Sequence, residues 1–282
     1  MSLALSLRSV AIPTMFGKST NAKDYQSIAR PIAAMAKDFA AGVHVARHHH
    51  ERAQLVFATS GVMQVTAAGG IWVVPPHRGL WIPAAVDHEI RCASAVAMRT
   101  LYIRPDAASG LPRSVCVLAV QPLLRELILE AVKLPLDYVE RDRDGRIMAL
   151  ILDELRALPI LPLHLPMPGD KRLARICMAI MRAPALRRPL AAWGSEVGAS
   201  SRTLARLFLR ETGLSFGAWC RQARLLDAVA RLAQGQKVTS VALDLGYDSP
   251  SAFTSMFRRH LATTPSRYFR DDENAESPPR RA

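Results

Sequence analysis

The sequence predicts an α+β chain of several domains: an N-terminal β-barrel, a helical connector and a C-terminal all-α domain with two helix-turn-helix units. Three observations predict it. Residues 38–105 break into short runs rich in Val, Ile, Trp and Tyr, separated by Gly, Pro and Asp. Residues 157–170 carry Pro159, Pro162, Pro166 and Pro168. From residue 170 onward the apolar period is helical, and a quasi-repeat appears. With 282 residues there is room for two ordinary domains or three small ones. An apolar fraction of 50% excludes a disordered chain, and 22% charged residues exclude a coiled-coil rod.

Taken in order, residues 1–25 have little to bury and are expected to be a flexible N-terminus. The start, MSLALSLRSV, lacks a basic region ahead of its short apolar stretch, so no cleaved signal peptide is expected. The barrel is assigned to 26–112. Its strands are read from GVHVARHHH, QLVFATSG, VMQVTAAGG, IWVVPPHRG, LWIPAAVDHEIR and AMRTLYIRP, whose even spacing suits a small sandwich or barrel. Residues 113–158 are read as a helical connector. Val120, Leu123, Leu124, Leu127, Ile128 and Ala131 recur at three and four, as do Ile147, Leu150, Ile151 and Leu155. Such apolar faces suit packing on the barrel or a dimer seam. Residues 159–169 form a Pro-rich linker, since proline removes amide donors and favours extended chain. The helical domain covers 170–270, and 271–282 is a flexible tail.

Charge singles out the helical domain. Residues 170–270 hold 17 Lys and Arg against 6 Asp and Glu, which is most of the net +13. A concentrated positive field attracts a polyanion, and nucleic acid is the default candidate. No apolar run approaches the roughly 20 residues that span a bilayer. Cys92, Cys116, Cys177 and Cys220 lie far apart, without the spacing of a disulfide framework or a thiolate zinc site, which suits the cytoplasm.

The quasi-repeat pairs LAAWGSEVGASSRTLARLFLRETG with SVALDLGYDSPSAFTSMFRRHLA. Each copy has a small residue on its first helix, Gly194 or Ala242, where a second helix crosses closely. Each has a glycine four residues later, Gly198 or Gly246, for the turn. Leu204, Leu207 and Phe208 form the inner side of one second helix; Phe253, Met256, Phe257 and Leu261 form the other. The opposite faces are polar: Arg202, Arg206 and Arg210 with Thr203, then Ser251, Ser255 and Arg258 with Thr254. Ser200 and Ser249 suit N-caps. Residues 215–234 read as one joining helix, and twenty residues span about 30 Å, close to the roughly 34 Å between successive major grooves.

The stretch from Leu190 to Phe269 resembles the DNA-binding domain of AraC/XylS-family transcription regulators. ASSRTLARLFLRETGLSF, the RLLDA helix and ALDLGYDSPSAFTSMFRRHLATTPSRYFR carry the likeness. The resemblance implies seven helices and engagement of two adjacent major grooves of double-stranded DNA. It assigns Ser201, Arg202, Thr203, Ala205 and Arg206 to the DNA surface of the first unit. In the second it assigns Ser251, Thr254 and Ser255, with Arg258 nearer phosphate. Ala262 stands where the family has glycine, and Gly194 where it has alanine.

GVHVARHHHERAQLVFATSG and LWIPAAVDHEI resemble the two motifs of the cupin barrel. The cupin ligand positions map to His48, His50, Gln54 and His88, with Gln54 in place of the usual glutamate. An amide is a neutral and poorer ligand than a carboxylate. No cofactor is therefore required, while a divalent metal on His48, His50 and His88 stays open, beside an organic-effector pocket. His49, of opposite strand parity, is expected to face solvent.

The resulting expectation is a sequence-specific transcription regulator, not an enzyme, controlled by a small-molecule effector in the barrel. A homodimer is possible, and RNA polymerase is a partner if the protein activates. The alternative is a metal-dependent cupin enzyme with a helical appendage. An architectural DNA-binding protein without an effector is a third reading, disfavoured by the two arginine-bearing faces.

Overall fold

The structure is a computed structural model and describes residues 15–268. The expected flexible tail, 271–282, lies outside them, as do residues 1–14 of the expected flexible start. Among the described residues the N-terminal half holds eleven strands: β1 (Ile32–Phe39), β2 (His44–His48), β3 (Ala53–Ser60), β4 (Met63–Ala67), β5 (Gly70–Val74), β6 (Arg78–Ile82), β7 (His88–Cys92), β8 (Val96–Ile103), β9 (Cys116–Ala119), β10 (Ile160–Leu161) and β11 (His164–Pro166). Between β9 and β10 come α1 (Pro122–Ala131) and α2 (Arg143–Arg156). The C-terminal half holds α3 (Lys171–Arg182), α4 (Leu190–Val197), α5 (Ser201–Thr212), α6 (Phe216–Ala233), α7 (Val238–Asp244) and α8 (Pro250–Leu261).

The strands form two antiparallel sheets, ordered β1-β8-β3-β6-β9-β10 and β11-β5-β4-β7-β2. The six-stranded sheet is covered on both faces. Val56, Ala58, Leu80, Met98 and Tyr102 point into the barrel; Leu55, Phe57, Trp81, Leu101 and Ile103 point the other way, onto α1 and α2. Burial on both faces is why β3 reads as a nearly continuous apolar run instead of an alternating one.

Several boundaries differ from the sequence reading. β1 was not among the expected strands; its Ala-rich sequence, IAAMAKDF, carries little β propensity, and pairing with β8 in full register holds it. Residues 113–158 are not helical throughout, because β9 joins β6. The helices that follow bury Leu124, Ile128, Met148, Ile151 and Leu155 against the sheet. Residues 159–169 are extended but not a free linker: β10 pairs with β9 in one sheet, and β11 pairs with β5 in the other. Both are edge strands, where a missing proline amide is tolerated. Tyr25, within the expected flexible start, is fully buried against Tyr102 and donates its hydroxyl to the carbonyl of Ser19.

Six helices occupy the C-terminal half among the described residues, where the resemblance implied seven; residues 265–268 form a turn. α6 has 18 residues, about 27 Å of helix. Trp219, Cys220, Ala223, Leu225, Leu226, Ala228, Val229 and Leu232 are buried, which is more than one stripe. The helix packs on its neighbours α3, α5 and α7 and also on β5 and β11 of the barrel. The Trp219 indole donates to the carbonyl of Pro166 at 2.7 Å, and the Gln222 amide donates to Pro162 and His164 at 2.7 and 3.0 Å. The prolines cannot donate, but their carbonyls receive the helix. No helix among the described residues is long and apolar enough to cross a membrane. All four cysteines are free and buried.

Candidate nucleic-acid interface and barrel cavity

The two helix-turn-helix units are α4–α5 and α7–α8. Ser200 caps α5 by accepting from the Thr203 amide at 3.2 Å; Ser249 caps α8 by accepting from the Ala252 amide at 3.2 Å. Capping satisfies an otherwise orphaned amide at each helix start and fixes where the helix begins. The inner faces are as the apolar spacing required: Leu204, Leu207 and Phe208 are buried on α5, and Phe253, Met256 and Phe257 on α8. Leu261 is only partly covered.

The outer faces are open. Ser201, Arg202, Ala205 and Arg206 are exposed on α5, and Thr203 is half-buried, its hydroxyl shared with Ser200 at 2.9 Å. Ser251, Ser255 and Arg258 are exposed on α8, and Thr254 is half-buried. Among the described residues no ion pair or side-chain hydrogen bond engages Arg202, Arg206 or Arg258. Arg182, Arg221, Arg259 and Arg267 are likewise exposed without an ion pair among the described residues, whereas other arginines of the domain are tied to carboxylates. Arg172 is held by Asp170, Arg188 by Glu196, Arg210 by Glu211, and Arg231 by Asp227 and Asp244. Arg210, on the expected polar face, is thus already paired.

The second site lies inside the barrel. β2 ends at His48, the following turn carries His50, and β7 begins at His88, which faces His48 in the register. The three rings meet: the centroids of His48 and His88 are 4.3 Å apart, His48 and His50 4.8 Å, and His50 and His88 5.4 Å. Their nearest ligand nitrogens all lie within 4.8 Å of one another. His50 is 8% exposed and His88 2%. His49 points away to solvent and meets the Asp87 carboxylate at 3.0 Å, as its parity predicts.

Tautomers can be assigned from partners. Nδ1 of His48 lies 2.7 Å from the carbonyl of Ala46, and Nδ1 of His88 lies 3.0 Å from that of Val86. A carbonyl only accepts, so in each ring Nδ1 carries the hydrogen and Nε2 keeps its lone pair. Burial lowers the pKa of His50 to about 4, helped by the charges of His48, His88 and His49. Burial likewise lowers His88 to about 4, against the Val86 hydrogen bond that favours its charged form. Both rings are neutral at pH 7.

Gln54, on β3, is 2% exposed. Thr100 Oγ1 donates to the carbonyl of Leu55 at 2.9 Å, so its lone pair receives Gln54 Nε2–H at 3.0 Å. The amide orientation follows, and Gln54 Oε1 is left buried without a partner. His50 Nε2 and His88 Nε2 are buried and unpartnered as well. His48, His50, Gln54 and Tyr102 line one cavity of about 60 Å³ with Met35, Phe39, Val45, Ile90 and Met98. Ala22 also lines it, and Lys37 and Thr20 complete it. Neither was legible from sequence, because Thr20 lies in the presumed flexible start and Lys37 in the unread β1. Trp72 and Trp81 are core, the first stacked on His164 and the second donating to the carbonyl of Pro112.

Comparison with known proteins gives matches to both halves. Residues 34–182 match the family of AraC-like ligand binding domains, and residues 193–271 match a helix-turn-helix domain family. The HTH-type transcriptional regulator NimR of Escherichia coli K12 is 35% identical over 221 residues, covering 78% of this chain and 81% of that protein. The HTH-type transcriptional regulator RipA of Corynebacterium glutamicum is 33% identical over 103 residues, 36% of this chain and 31% of its own length. Among solved structures, ToxT of Vibrio cholerae aligns over 85% of this chain and 98% of its own, at 10% identity and a TM-score of 0.36.

Proposed function

The chain belongs to the AraC family of transcription regulators, joining an AraC-like ligand-binding domain to a helix-turn-helix DNA-binding domain, and on that premise we propose how its two parts work. α5 and α8 enter successive major grooves of B-DNA, with α6 as the spacer. Arg202 and Arg206 read base edges, where arginine can engage guanine O6 and N7 together. Ser201 and Thr203 approach phosphate at the start of α5, and Ala205 allows close approach to a base. Ser251, Thr254 and Ser255 make the less selective contacts of the second groove, and Arg258 holds phosphate. The observation that carries this reading is the exposure of Arg202, Arg206 and Arg258 on the outward faces of the two capped helices, where no carboxylate among the described residues holds them.

The barrel cavity is the effector site, with His48, His50 and Gln54 at its polar end and His88 packed behind His48 and His50. A small molecule shifts operator occupancy only if it binds one arrangement of the protein better than another. α6 offers the route, since it spans both DNA-reading units and rests on β5 and β11 through Trp219 and Gln222. DNA binding itself needs no cofactor, although the three imidazoles have the donor set for a divalent ion. The protein works in the cytoplasm as a homodimer joined through α1 and α2, and it meets RNA polymerase at promoters it activates. Footprinting on DNA beside the protein's own coding region tests the reading. Protection of two successive helical turns per protomer is expected, altered by a metabolite; uniform coating without a bounded footprint would refute it.

A further inference from the structure

We propose that the pocket between the barrel and α6 binds a compact organic ammonium ion, which pairs with Asp227 and bridges the two domains. The pocket shares no wall residue with the barrel cavity, so it is a second ligand site. Its regulatory part rests on the reading of α6 as the route between the domains.

The walls set the size and the body of the ligand. The pocket holds about 120 Å³. Ile71 and Val73 of β5 and Leu165 of β11 form the barrel side; Met181 near the end of α3 and Leu226 of α6 form the other. Along α6, Ala223, Leu226, Asp227 and Ala230 stand at i, i+3, i+4 and i+7, so one face of the helix lines the pocket. Its two alanines leave the room. A cavity of roughly 150 Å³ accepts benzene, so a hydrocarbon body of about five carbons fits this one.

The polar groups set the charge. Asp227 is the only charged residue on the walls among the described residues. It shares a single guanidinium with Asp244: Arg231 Nε lies 2.8 Å from Asp227 Oδ2, and Arg231 Nη1 lies 3.4 Å from Asp244 Oδ2. Two carboxylates on one cation leave a net negative charge. Arg231 supplies that charge without an aligned hydrogen bond to the buried Oδ2. Burial raises the Asp227 pKa against the pull of Arg231. A carboxylate desolvated and short of donors gains from an N⁺–H placed beside it. Gln64 of β4 lines the same pocket, and its amide makes no hydrogen bond among the described residues. An ammonium head has three donors, enough for Asp227 and Gln64 together. A polyamine would need further carboxylates, and the remaining walls are apolar. The net charge of +13 repels cations at long range. Salt screens that field beyond about 8–10 Å, whereas the Asp227 pair acts at contact.

Because its walls belong to both domains, an occupied pocket favours the docked arrangement over any in which they part.

Calorimetric titration of the full-length protein with three analogues tests the site: cyclopentylamine, cyclopentanol and cyclopentanecarboxylate. The amine should bind at one per chain and at least tenfold more tightly than the alcohol, and the carboxylate should not bind. Asp227→Asn should weaken the amine at least tenfold and leave the alcohol within twofold. Ala230→Leu keeps a good helix former and fills the space, so it should weaken both at least tenfold. Circular dichroism confirms that both variants fold. Absent amine binding, equal binding of amine and alcohol, or amine binding unchanged in either variant would overturn the site. Saturating amine should shift operator affinity at least threefold in the native protein and not in Asp227→Asn. An unmoved affinity beside intact calorimetric binding overturns the bridge alone. A footprint absent with and without amine refutes the regulator mechanism instead, and leaves the calorimetry to decide the site.

Discussion

The two helix-turn-helix units share one plan and solve its tight spots with different residues. In the first, Gly194 lies where α4 turns toward α5, and a Cβ there would sit 2.4 Å from the carbonyl oxygen of Ala199. In the second, Ala242 occupies the matching place with its Cβ fully buried, and the turn before Ser249 is one residue longer. The extra residue is expected to relax the crossing enough for a methyl group. At the far ends the substitution runs the other way. α5 stops at Gly213 in the left-handed region, φ 70°, while α8 stops at Ala262 in the same region, φ 58°. An alanine there pays a steric penalty that glycine avoids. Their outward faces differ too: Arg202 and Arg206 dominate that of α5, and Ser251 and Ser255 stand beside Arg258 on that of α8. The comparison teaches that one geometry was reached from two sets of local compromises, and the proposed readout puts most of the sequence discrimination in the first.

The largest expected effect tests that concentration. Arg202→Ala or Arg206→Ala should lower operator affinity by about 10- to 100-fold, matching the roughly 1–3 kcal/mol of a bidentate arginine–guanine contact. Ser251→Ala or Ser255→Ala should cost only a few-fold. Binding to base-substituted operators separates readout from anchoring: equal loss on every sequence would reduce the arginines to phosphate contacts. Next comes the crossing. Gly194→Ala should destabilise the protein by about 1–3 kcal/mol through overpacking, read from the midpoint of urea unfolding. Ala242→Gly should cost about 1–2 kcal/mol, from backbone entropy and the loss of a buried methyl group. Equal effects would mean that the longer turn does not relax the second crossing.

Acid provides a control that acts outside both units. The folded pKa values of His50 and His88, about 4, lie below the unfolded value of 6.5. Stability from these groups is complete above pH 6.5 and is lost as pH falls toward 4, because the unfolded chain takes up protons that the buried rings refuse. Between pH 6.5 and 5, without added metal, a loss of about 1–2 kcal/mol per ring, about 3 kcal/mol for the two, is expected, with the gap between the Gly194 and Ala242 variants unchanged. A flat thermal midpoint across that range would argue against buried neutral rings. The smallest effect is at the helix ends. Ala262→Gly should stabilise by about 0.5–1 kcal/mol, and Gly213→Ala should destabilise by about as much. A loss of stability in Ala262→Gly would show that its methyl group is needed where it stands.

Legibility followed the range of the interactions. Caps at Ser200 and Ser249, the inner faces of α5 and α8 and the exposure of Arg202, Arg206, Ser251 and Ser255 depend on neighbours within a few residues, so spacing alone revealed them. His48, His50, Gln54 and His88 were legible as a set through strand parity and likeness to a motif. Their cavity partners Thr20 and Lys37 were not, because β1 is recognisable only once β8 pairs with it. The Pro-rich segment misled for the same reason: its composition describes a spacer, and only the two sheet edges beside it make it β10 and β11.

The amino-acid order alone therefore determined the helical DNA-reading half and the chemical identity of the barrel's polar cluster, since helix periodicity and residue type are local properties. The tertiary structure alone decided which rings meet, which buried nitrogens and oxygen stay unpartnered, and that α6 leans on the barrel. Those outcomes depend on strand pairings between distant segments, and no short-range pattern encodes them.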